Sequence, residues 1–351
     1  MSLVHGLGAA LLGRLDPETG HGLAVRGLRL LGDSGAGRLD DPALAVELAS
    51  LKLPNCVGLA AGFDKHAEVP GPMLGAGFGW VECGTVTPLP QPGNARPRVF
   101  RLREDGAVIN RYGFNSVGVE AFAANLERRR PGGVVGANIG ANKESADRVG
   151  DYVLGLRRLW PLADYFTANI SSPNTPGLRA LQGRAALDEL LGRLAEARRG
   201  LAADAGDKPV LLKVAPDLTA AEIDDICSSV QANGLDGIIV GNTTLSRPAS
   251  LRSPHREEAG GLSGAPLFEL STRVLGQFRQ RTEGRLALIG CGGVGSGADA
   301  YAKIRAGAAA VQLYTMMSLQ GPGLIAAIKR DLAARLRADG FSNVAEAVGA
   351  T

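Results

Sequence analysis

Residues 209–242 read PVLLKVAPDLTAAEIDDICSSVQANGLDGIIVGN and contain the unit from which the chain is built. The unit starts with an apolar run, PVLLKVA at 209–215, and closes with another, GIIVGN at 237–242. Between them, residues 219–233 carry apolar side chains at three- and four-residue spacing, which is typical of a helix. We therefore predict two parallel strands joined by a crossover helix.

Six further apolar runs repeat this unit. They are CVGLA at 56–60, WVECGT at 80–85, VVGANI at 134–139, DYFTANIS at 164–171, LALIG at 286–290 and AAVQLY at 309–314. Helical patterns follow most of them, at 117–130, 184–203, 266–281, 297–306 and 322–338. Strands that are apolar almost throughout belong to a sheet covered on both faces. The predicted fold class is therefore α/β, with a closed (β/α)₈ TIM barrel over residues 41–351.

An open, doubly wound sheet is the alternative architecture. It should carry GxGxxG directly after its first strand, where that motif binds a dinucleotide. Here the first run leads into AAGFDK at 60–65, which lacks the motif. The barrel is the better prediction.

The bulk composition limits the function classes. The chain has 351 residues, and a barrel takes about 250, so there is room for one appendage. Hydrophobic residues at 45% and charged residues at 21% indicate a globular core. A net charge of +3, with no basic stripe bearing aromatics, argues against nucleic-acid binding. The four cysteines form no CxxC pair, which favours buried thiols in a reducing compartment over a metal site.

Residues 1–40 differ in character and predict a small helical extension. One apolar stripe comprises Leu3, Val4, Leu7, Leu11 and Leu12, and a second, after Asp16 and Pro17, comprises Leu23, Ala24, Leu28, Leu30 and Leu31. Charged residues interrupt both before about 18 apolar positions accumulate, so no spanning helix is predicted. The two amphipathic helices either cap the barrel or lie in a membrane interface, with Arg14, Arg26 and Arg29 facing headgroups. Periodicity alone favours the cap.

Polar residues at the predicted strand ends are candidates for function, because a barrel carries its chemistry there. They are Lys65, Thr85, Asn138, Asn169, Ser172, Lys213, Asn242, Thr243, Gly292, Gly293, Tyr314 and Thr315. Lys213 interrupts an apolar strand, where burying an ammonium group is costly without an anionic partner. We interpret it as facing a ligand. The alternative is pairing with a core carboxylate or extension to solvent.

The last two strand ends resemble a phosphate site. GCGG at 290–293 and the pair Tyr314 and Thr315 lie where barrels often bind phosphate through backbone N–H groups. A tight turn would use the same glycines. Five asparagines at loops or strand ends suit a ring with amide groups and a carboxylate, but each alone could be a turn residue. They are Asn110, Asn138, Asn169, Asn174 and Asn242.

Ser172 lies in NISSPNTPG at 169–177, too rich in Pro and Asn for a helix or central strand. The pattern predicts a loop over the barrel mouth, where a serine could equally be a turn hydroxyl. No histidine falls near a strand end beside Ser or Cys, so a hydrolase triad has no support.

An ordered series of motifs resembles the class 2 dihydroorotate dehydrogenases along nearly the whole chain. The motifs are LDPE at 15–18, GLAAGFDK at 58–65, GTVTP at 84–88, PGNARPR at 92–98, NRYGFN at 110–115, NISSPNTPG at 169–177, KVAPD at 213–217 and GGLSG at 260–264. The chain departs from the family at Val240 and Gly241, where a Thr-Asn pair is common, and at Cys291 and His66. None of these changes removes an expected catalytic group.

The resemblance implies two sets of binding residues. For FMN they are Ala61, Gly62, Phe63, Asp64, Lys65, Thr85, Asn138, Asn169, Lys213, Gly241, Gly264, Gly293, Tyr314 and Thr315. For dihydroorotate they are Lys65, Asn110, Arg111, Tyr112, Gly113, Phe114, Asn169, Asn174, Asn242 and Thr243. Ser172 would remove a proton from C5 while hydride passes from C6 to flavin N5, giving orotate in the synthesis of UMP. Lys213 would stabilise reduced flavin, and Lys65 would pair with the substrate carboxylate.

The resemblance also implies the electron acceptor. Soluble class 1 enzymes have a cysteine as base and lack the extension, whereas this chain has Ser172 and residues 1–40. The expected acceptor is therefore ubiquinone or menaquinone, reached through the N-terminal helices and past His21, with no obligatory protein partner. The expected location is peripheral, on the cytoplasmic side of the inner membrane. The alternatives are a soluble dehydrogenase using fumarate or NAD, and a barrel that binds phosphate ligands without redox chemistry.

Overall fold

The structure is a computed structural model that describes residues 13–32, 40–175 and 177–350. The strands are β1 (Val46–Leu48), β2 (Leu51–Leu53), β3 (Val57–Leu59), β4 (Trp80–Val86), β5 (Val99–Leu102), β6 (Ala107–Asn110), β7 (Val134–Ile139), β8 (Tyr165–Asn169), β9 (Val210–Val214), β10 (Gly237–Val240), β11 (Gly261–Gly264), β12 (Ala287–Cys291) and β13 (Ala310–Leu313). The helices are α1 (Pro17–Leu31), α2 (Pro70–Gly75), α3 (Val119–Glu127), α4 (Arg148–Leu159), α5 (Arg184–Ala205), α6 (Ala220–Ala232), α7 (Phe268–Thr282), α8 (Gly297–Arg305), α9 (Thr315–Gln320), α10 (Gly323–Ala338) and α11 (Val344–Ala347).

Eight parallel strands close into a barrel in the order β3-β4-β7-β8-β9-β10-β12-β13, with β13 pairing back to β3. These are the eight runs identified in the sequence, so the predicted TIM barrel is confirmed. Strand β4 continues one residue further than predicted, to Val86, and β12 continues to Cys291. The closed order excludes the open sheet.

Large side chains fill part of the barrel interior. Trp80 and Tyr165 are fully buried, with ring centroids 5.7 Å apart. Each lies against a glycine on a neighbouring strand: a Cβ at Gly58 would lie 2.3 Å from Trp80, and one at Gly136 would lie 2.1 Å from Tyr165. Because these rings fill that space, they leave no room there for a larger residue at either glycine.

Helix α4 was not predicted, although the six predicted helices are present. Gly150 and Gly155 lower its intrinsic helix propensity. It forms because its buried residues, including Tyr152 and Leu156, pack into the core. The sheet β11-β6-β5 and the hairpin β1-β2 were also missed. Strands β6 and β11 are short and far apart in sequence, so no local pattern indicates their pairing.

Helix α1 confirms the second helix predicted in the N-terminal extension, and the first, within residues 1–12, lies outside the described residues. The Asp16 side chain caps α1 by accepting from the Thr19 N–H at 3.0 Å. The predicted stripe is partly wrong, because Leu30 is 90% exposed and does not share the barrel-facing side. Arg29 donates to Glu68 at 2.8 Å. In the described ranges, no helix is long and apolar enough to cross a membrane.

Candidate active site

A cavity of about 660 Å³ opens at the carboxyl end of the barrel, a volume suited to a cofactor or small ligand. Its wall includes most of the predicted site residues. These are Ala61, Gly62, Phe63, Lys65, Thr85, Asn110, Tyr112, Gly113, Phe114, Asn169, Ser172, Asn174, Lys213, Asn242, Thr243, Gly264, Gly293, Tyr314 and Thr315. Residues that are scattered over the chain therefore share one cavity.

Four predicted residues are not on this wall: Asp64, Arg111, Asn138 and Gly241. Asp64 instead accepts two backbone N–H groups of the following turn, each at 2.8 Å. Arg111 pairs with Glu258 at 2.9 Å. Gly241 packs against Cys291, whose carbonyl oxygen would lie 2.6 Å from a Cβ. As binding residues, these four therefore remain predictions.

Asn138 lies beneath the wall, in a row of buried polar side chains that forms the floor of the cavity. Its Oδ1 accepts from Thr85 Oγ1 at 2.5 Å and from Asn169 Nδ2 at 3.1 Å. Asn169 Oδ1 accepts from Ser171 Oγ at 2.8 Å, and Ser171 Oγ accepts from Asn242 Nδ2 at 2.8 Å. The floor thus links strands β4, β7 and β8 and the segment after β10 through side chains alone.

Glu82 of β4 is a buried acid that sequence reasoning missed. Its side chain is fully buried, and its Oε1 lies 3.9 Å from Lys213 Nζ. Lys213 therefore pairs with a core carboxylate, which was the alternative interpretation of this residue. It also lines the cavity, and its contact with a ligand stays a prediction. The signal was available, since Glu82 interrupts the apolar run WVECGT.

Lys65 lies beside the predicted substrate segment. Its Nζ donates to the Gly62 carbonyl at 2.8 Å and lies 4.0 Å from the centroid of the Tyr112 ring. Burial lowers the pKa of Lys65 from 10.5 to about 8, although the carboxylate of Glu18 acts to raise it. No carboxylate forms an ion pair with Lys65 among the described residues. An anionic ligand would supply the missing countercharge.

Ser172 lies in a loop between β8 and α5, as predicted, and is 7% exposed. Its Oγ accepts from the backbone N–H of Asn174 at 3.3 Å. Arg179 holds this loop by donating to the carbonyl of Ser171 at 3.0 Å and to that of Thr243 at 3.1 Å. The nearby hydroxyl of Thr175 is buried and has no hydrogen-bond partner among the described residues. The two hydroxyls lie three residues apart in the same loop.

Comparison with known proteins identifies the family. The family model for dihydroorotate dehydrogenase matches residues 43–336. A protein from Xanthobacter autotrophicus named dihydroorotate dehydrogenase (quinone) is 55% identical and covers 95% of each chain. Another of that name, from Parvibaculum lavamentivorans, is 54% identical over 98% of this chain and 97% of its own. This chain belongs to the quinone-dependent dihydroorotate dehydrogenase family.

Solved structures agree with this family. A dihydroorotate dehydrogenase from Eimeria tenella, crystallised with ferulenol, has a TM-score of 0.89 and 40% identity, and covers 95% of each chain. The ligand-free form of that protein also has a TM-score of 0.89, at 42% identity, and covers 95% of this chain and 99% of its own. The fold and the sequence therefore point to the same family of flavin-dependent oxidoreductases.

Unpaired polar atoms on the cavity wall fit the ligands expected for a dihydroorotate dehydrogenase. Gln312 Oε1, Thr243 Oγ1 and Asn115 Oδ1 are buried and lack hydrogen-bond partners within the described ranges. All three residues line the cavity. Leaving such atoms unpaired is costly, so their positions suit a ligand that offers both donors and acceptors. A flavin ring and an amide-bearing substrate do so.

Helix α1 closes one side of the cavity. Its hydrophobic periodicity predicted only a cap on the barrel and did not indicate this position. Its Leu23, Ala24 and Leu28 are on the wall. The ring of His21 lies 5.1 Å from that of Phe63, centroid to centroid. Burial, and then the charge of Lys65, lower the pKa of His21 to about 3. The histidine is neutral near pH 7, and this part of the cavity is largely apolar.

Proposed function

We propose that this chain is a quinone-dependent dihydroorotate dehydrogenase that binds FMN and oxidises (S)-dihydroorotate to orotate in the synthesis of UMP. The observation that carries the proposal is the shared cavity, in which Lys65, Lys213 and a floor of amides lie beneath the apolar wall of helix α1. Such a cavity has a polar half for flavin and substrate and an apolar half for a quinone. The identity to named relatives supports this assignment.

The flavin would be held at the barrel mouth, where it supplies hydride acceptance from the substrate and electron transfer to the quinone. Gly264, Gly293 and Thr315 line the corner expected to take its phosphate. Thr315 Oγ1 donates to Ser263 Oγ at 2.9 Å, which orients both hydroxyls. Lys213 would offer its positive charge to the reduced ring. FMN, rather than a dinucleotide, suits this one-cavity arrangement without GxGxxG.

Ser172 is our proposed base, taking the proton from C5 of dihydroorotate. A serine hydroxyl is a weak base, so its oxygen must be held in line with the C5–H bond and pass the proton onward. Two contacts support this role: Arg179 donates to the carbonyl of Ser171, and the backbone N–H of Asn174 donates to Ser172 Oγ. Lys65 would bind the carboxylate, and Asn174, Asn242 and the segment 110–114 would bind the ring.

Helix α1 would take the quinone and contact the membrane surface. Leu15, Leu23 and Leu30 are exposed by 41%, 42% and 90%. Apolar side chains at the surface of an amphipathic helix favour binding within a membrane interface. With the predicted first helix of residues 1–12, they would place the enzyme peripherally on the cytoplasmic face of the inner membrane.

Acceptor choice and flavin bleaching test this function. The purified protein should be yellow, and anaerobic dihydroorotate should bleach it. In detergent, turnover should be fast with ubiquinone analogues and slow with fumarate or NAD. Ser172→Ala should slow bleaching on the order of 100-fold or more, as loss of a general base does, with dihydroorotate affinity preserved. Colourless protein that cannot be loaded with FMN, or faster turnover with fumarate, would reject the proposal.

A further inference from the structure

The buried carboxylate of Glu82 collects more hydrogen-bond donors than any packing role requires. Oε1 accepts from Asn138 Nδ2 at 2.8 Å. Oε2 accepts from Tyr165 Oη at 3.1 Å, from Thr167 Oγ1 at 3.0 Å and from Gln312 Nε2 at 3.0 Å. The amide nitrogens can only donate, so Glu82 serves them as an acceptor.

Burying a charged carboxylate is expensive, and a neutral glutamine would fit the same space. The charge is balanced by Lys213, 3.9 Å away and buried to 4% exposure. Lys213 is on the cavity wall, whereas Glu82 is beneath it. The acid therefore provides a buried ammonium group with a partner of opposite charge, while that group still lines the cavity.

Glu82 also ends a hydrogen-bond chain that runs in one direction along the floor. Because Asn138 Nδ2 faces Glu82, its Oδ1 faces Thr85 and Asn169. Asn169 Nδ2 then faces Thr85 Oγ1 at 2.9 Å, so its Oδ1 is left for Ser171. An amide can turn over and exchange its donor and acceptor. A carboxylate cannot, so Glu82 fixes the orientation of Asn138. The backbone N–H of Ser171 supports the same direction at Asn169, because it donates to Asn169 Oδ1 at 3.3 Å.

The far end of this hydrogen-bond chain is Asn242, a predicted substrate-binding residue on the cavity wall. Ser171 Oγ donates to Asn169 and must therefore accept from Asn242 Nδ2. Asn242 Oδ1 accepts from the backbone N–H of Thr243 at 2.8 Å. The second hydrogen on Asn242 Nδ2 is left to donate into the cavity. That donor suits the carbonyl and carboxylate oxygens of dihydroorotate.

We propose that Glu82 is a positioning residue, which supplies the countercharge to Lys213 and, together with the backbone N–H groups of Ser171 and Thr243, orients the floor amides so that they present donors to flavin and substrate. The inference rests on the proposed function for its catalytic consequence. The ion pair and the directed chain are properties of the protein alone. They can be tested without substrate.

The ion pair of Glu82 with Lys213 is tested by a double-mutant cycle on the protein without FMN. Free energies of unfolding would be measured for Glu82→Gln, Lys213→Met and the double variant. Each single change leaves one buried charge unpaired, so the double variant should be less destabilised than the sum of the two. Additive effects would overturn the role of Glu82 as countercharge. This cycle remains informative even if dihydroorotate proves not to be the substrate.

The orientation of the floor amides is tested on the protein with FMN bound. Glu82→Gln is compared with Tyr165→Phe, which removes one donor to the same carboxylate but keeps the charge and the contact with Asn138. We expect Glu82→Gln to alter the visible spectrum of bound FMN and to slow bleaching by saturating dihydroorotate roughly 10- to 100-fold. Tyr165→Phe should change neither. Equal behaviour of the two variants would overturn the proposal, whereas failure of dihydroorotate to bleach the unmodified protein would instead reject the proposed function.

Discussion

Lys65 shows how one side chain is prepared for an anion. It lies between the Gly62 carbonyl and the face of Tyr112, and neither contact carries a full negative charge. Burial therefore lowers its pKa to about 8. Arg98 lies on the same tyrosine ring, at 5.4 Å from the centroid. The lysine is charged at neutral pH and still needs a partner, as the proposed carboxylate contact requires.

We predict that kcat/KM for dihydroorotate falls as pH rises through about 8, because the free enzyme then loses the Lys65 ammonium group. Lys65→Met should lower kcat/KM roughly 30-fold or more at pH 7, which corresponds to about 2 kcal/mol. It should also remove the break near pH 8. The exposed Lys52→Met is the control and should keep the normal profile. An unchanged break in Lys65→Met would contradict this assignment.

A buried ion pair joins helix α1 to the barrel. Glu18 accepts from Arg98 at 2.9 and 3.1 Å, and the two side chains are 13% and 7% exposed. The same guanidinium donates to the carbonyls of Pro92 and Asn94, at 2.7 and 2.8 Å. Asn94 in turn donates to the carbonyl of Asn174 at 3.1 Å. Helix α1 is thus connected to the loop that contains Ser172 and Asn174.

We expect Glu18→Ala to destabilise the protein by about 3 kcal/mol, since it leaves Arg98 buried without its countercharge. The backbone amide hydrogens of residues 13–32 should exchange faster in the same variant. The control is Arg29→Ala, which breaks the exposed pair with Glu68 and should cost less than about 1 kcal/mol. Unfolding in urea and exchange mass spectrometry would measure both. Equal losses for the two variants would show that the buried pair does not hold the helix.

Across the whole molecule, many cysteine thiols and tyrosine phenols are buried in their neutral form. Burial raises the pKa of three thiols and five phenols above their ordinary values of 9.0 and 10.0. They belong to Cys56, Cys83, Cys227, Tyr112, Tyr152, Tyr165, Tyr301 and Tyr314. Three lysines have the opposite effect on stability, because burial lowers the pKa of Lys65 and of Lys303 to about 8 and also lowers the pKa of Lys208.

Stability should therefore fall above about pH 10. There the unfolded chain loses thiol and phenol protons that the native state retains, and the unfolded state is favoured. The lysines add stability between pH 8 and 10.5, where the unfolded state binds more protons, but they are fewer. Urea unfolding under reducing conditions at pH 9 and pH 10.5 would measure the difference. A higher midpoint at pH 10.5 would contradict the burial of these groups in neutral form.

The order of apolar runs was sufficient to predict the barrel, because each strand and its helix are neighbours in sequence and their periodicities are local. For the same reason the strand-end residues, such as Lys213 and Asn169, were correctly expected to meet at one mouth. The ordered series of motifs was the basis for predicting the family and its expected chemistry. Ser172 as base still rests on that resemblance.

The features that the sequence did not predict depend on long-range contacts. The pairing of Glu82 with Lys213, the direction of the amide floor and the ion pair of Glu18 with Arg98 join residues that are far apart along the chain. The sheet β5-β6-β11 and the cavity wall formed by α1 arise in the same way. Local patterns indicate which face of a strand is buried. Which side chains meet inside the barrel depends on closure of the sheet, and only the tertiary structure fixes that register.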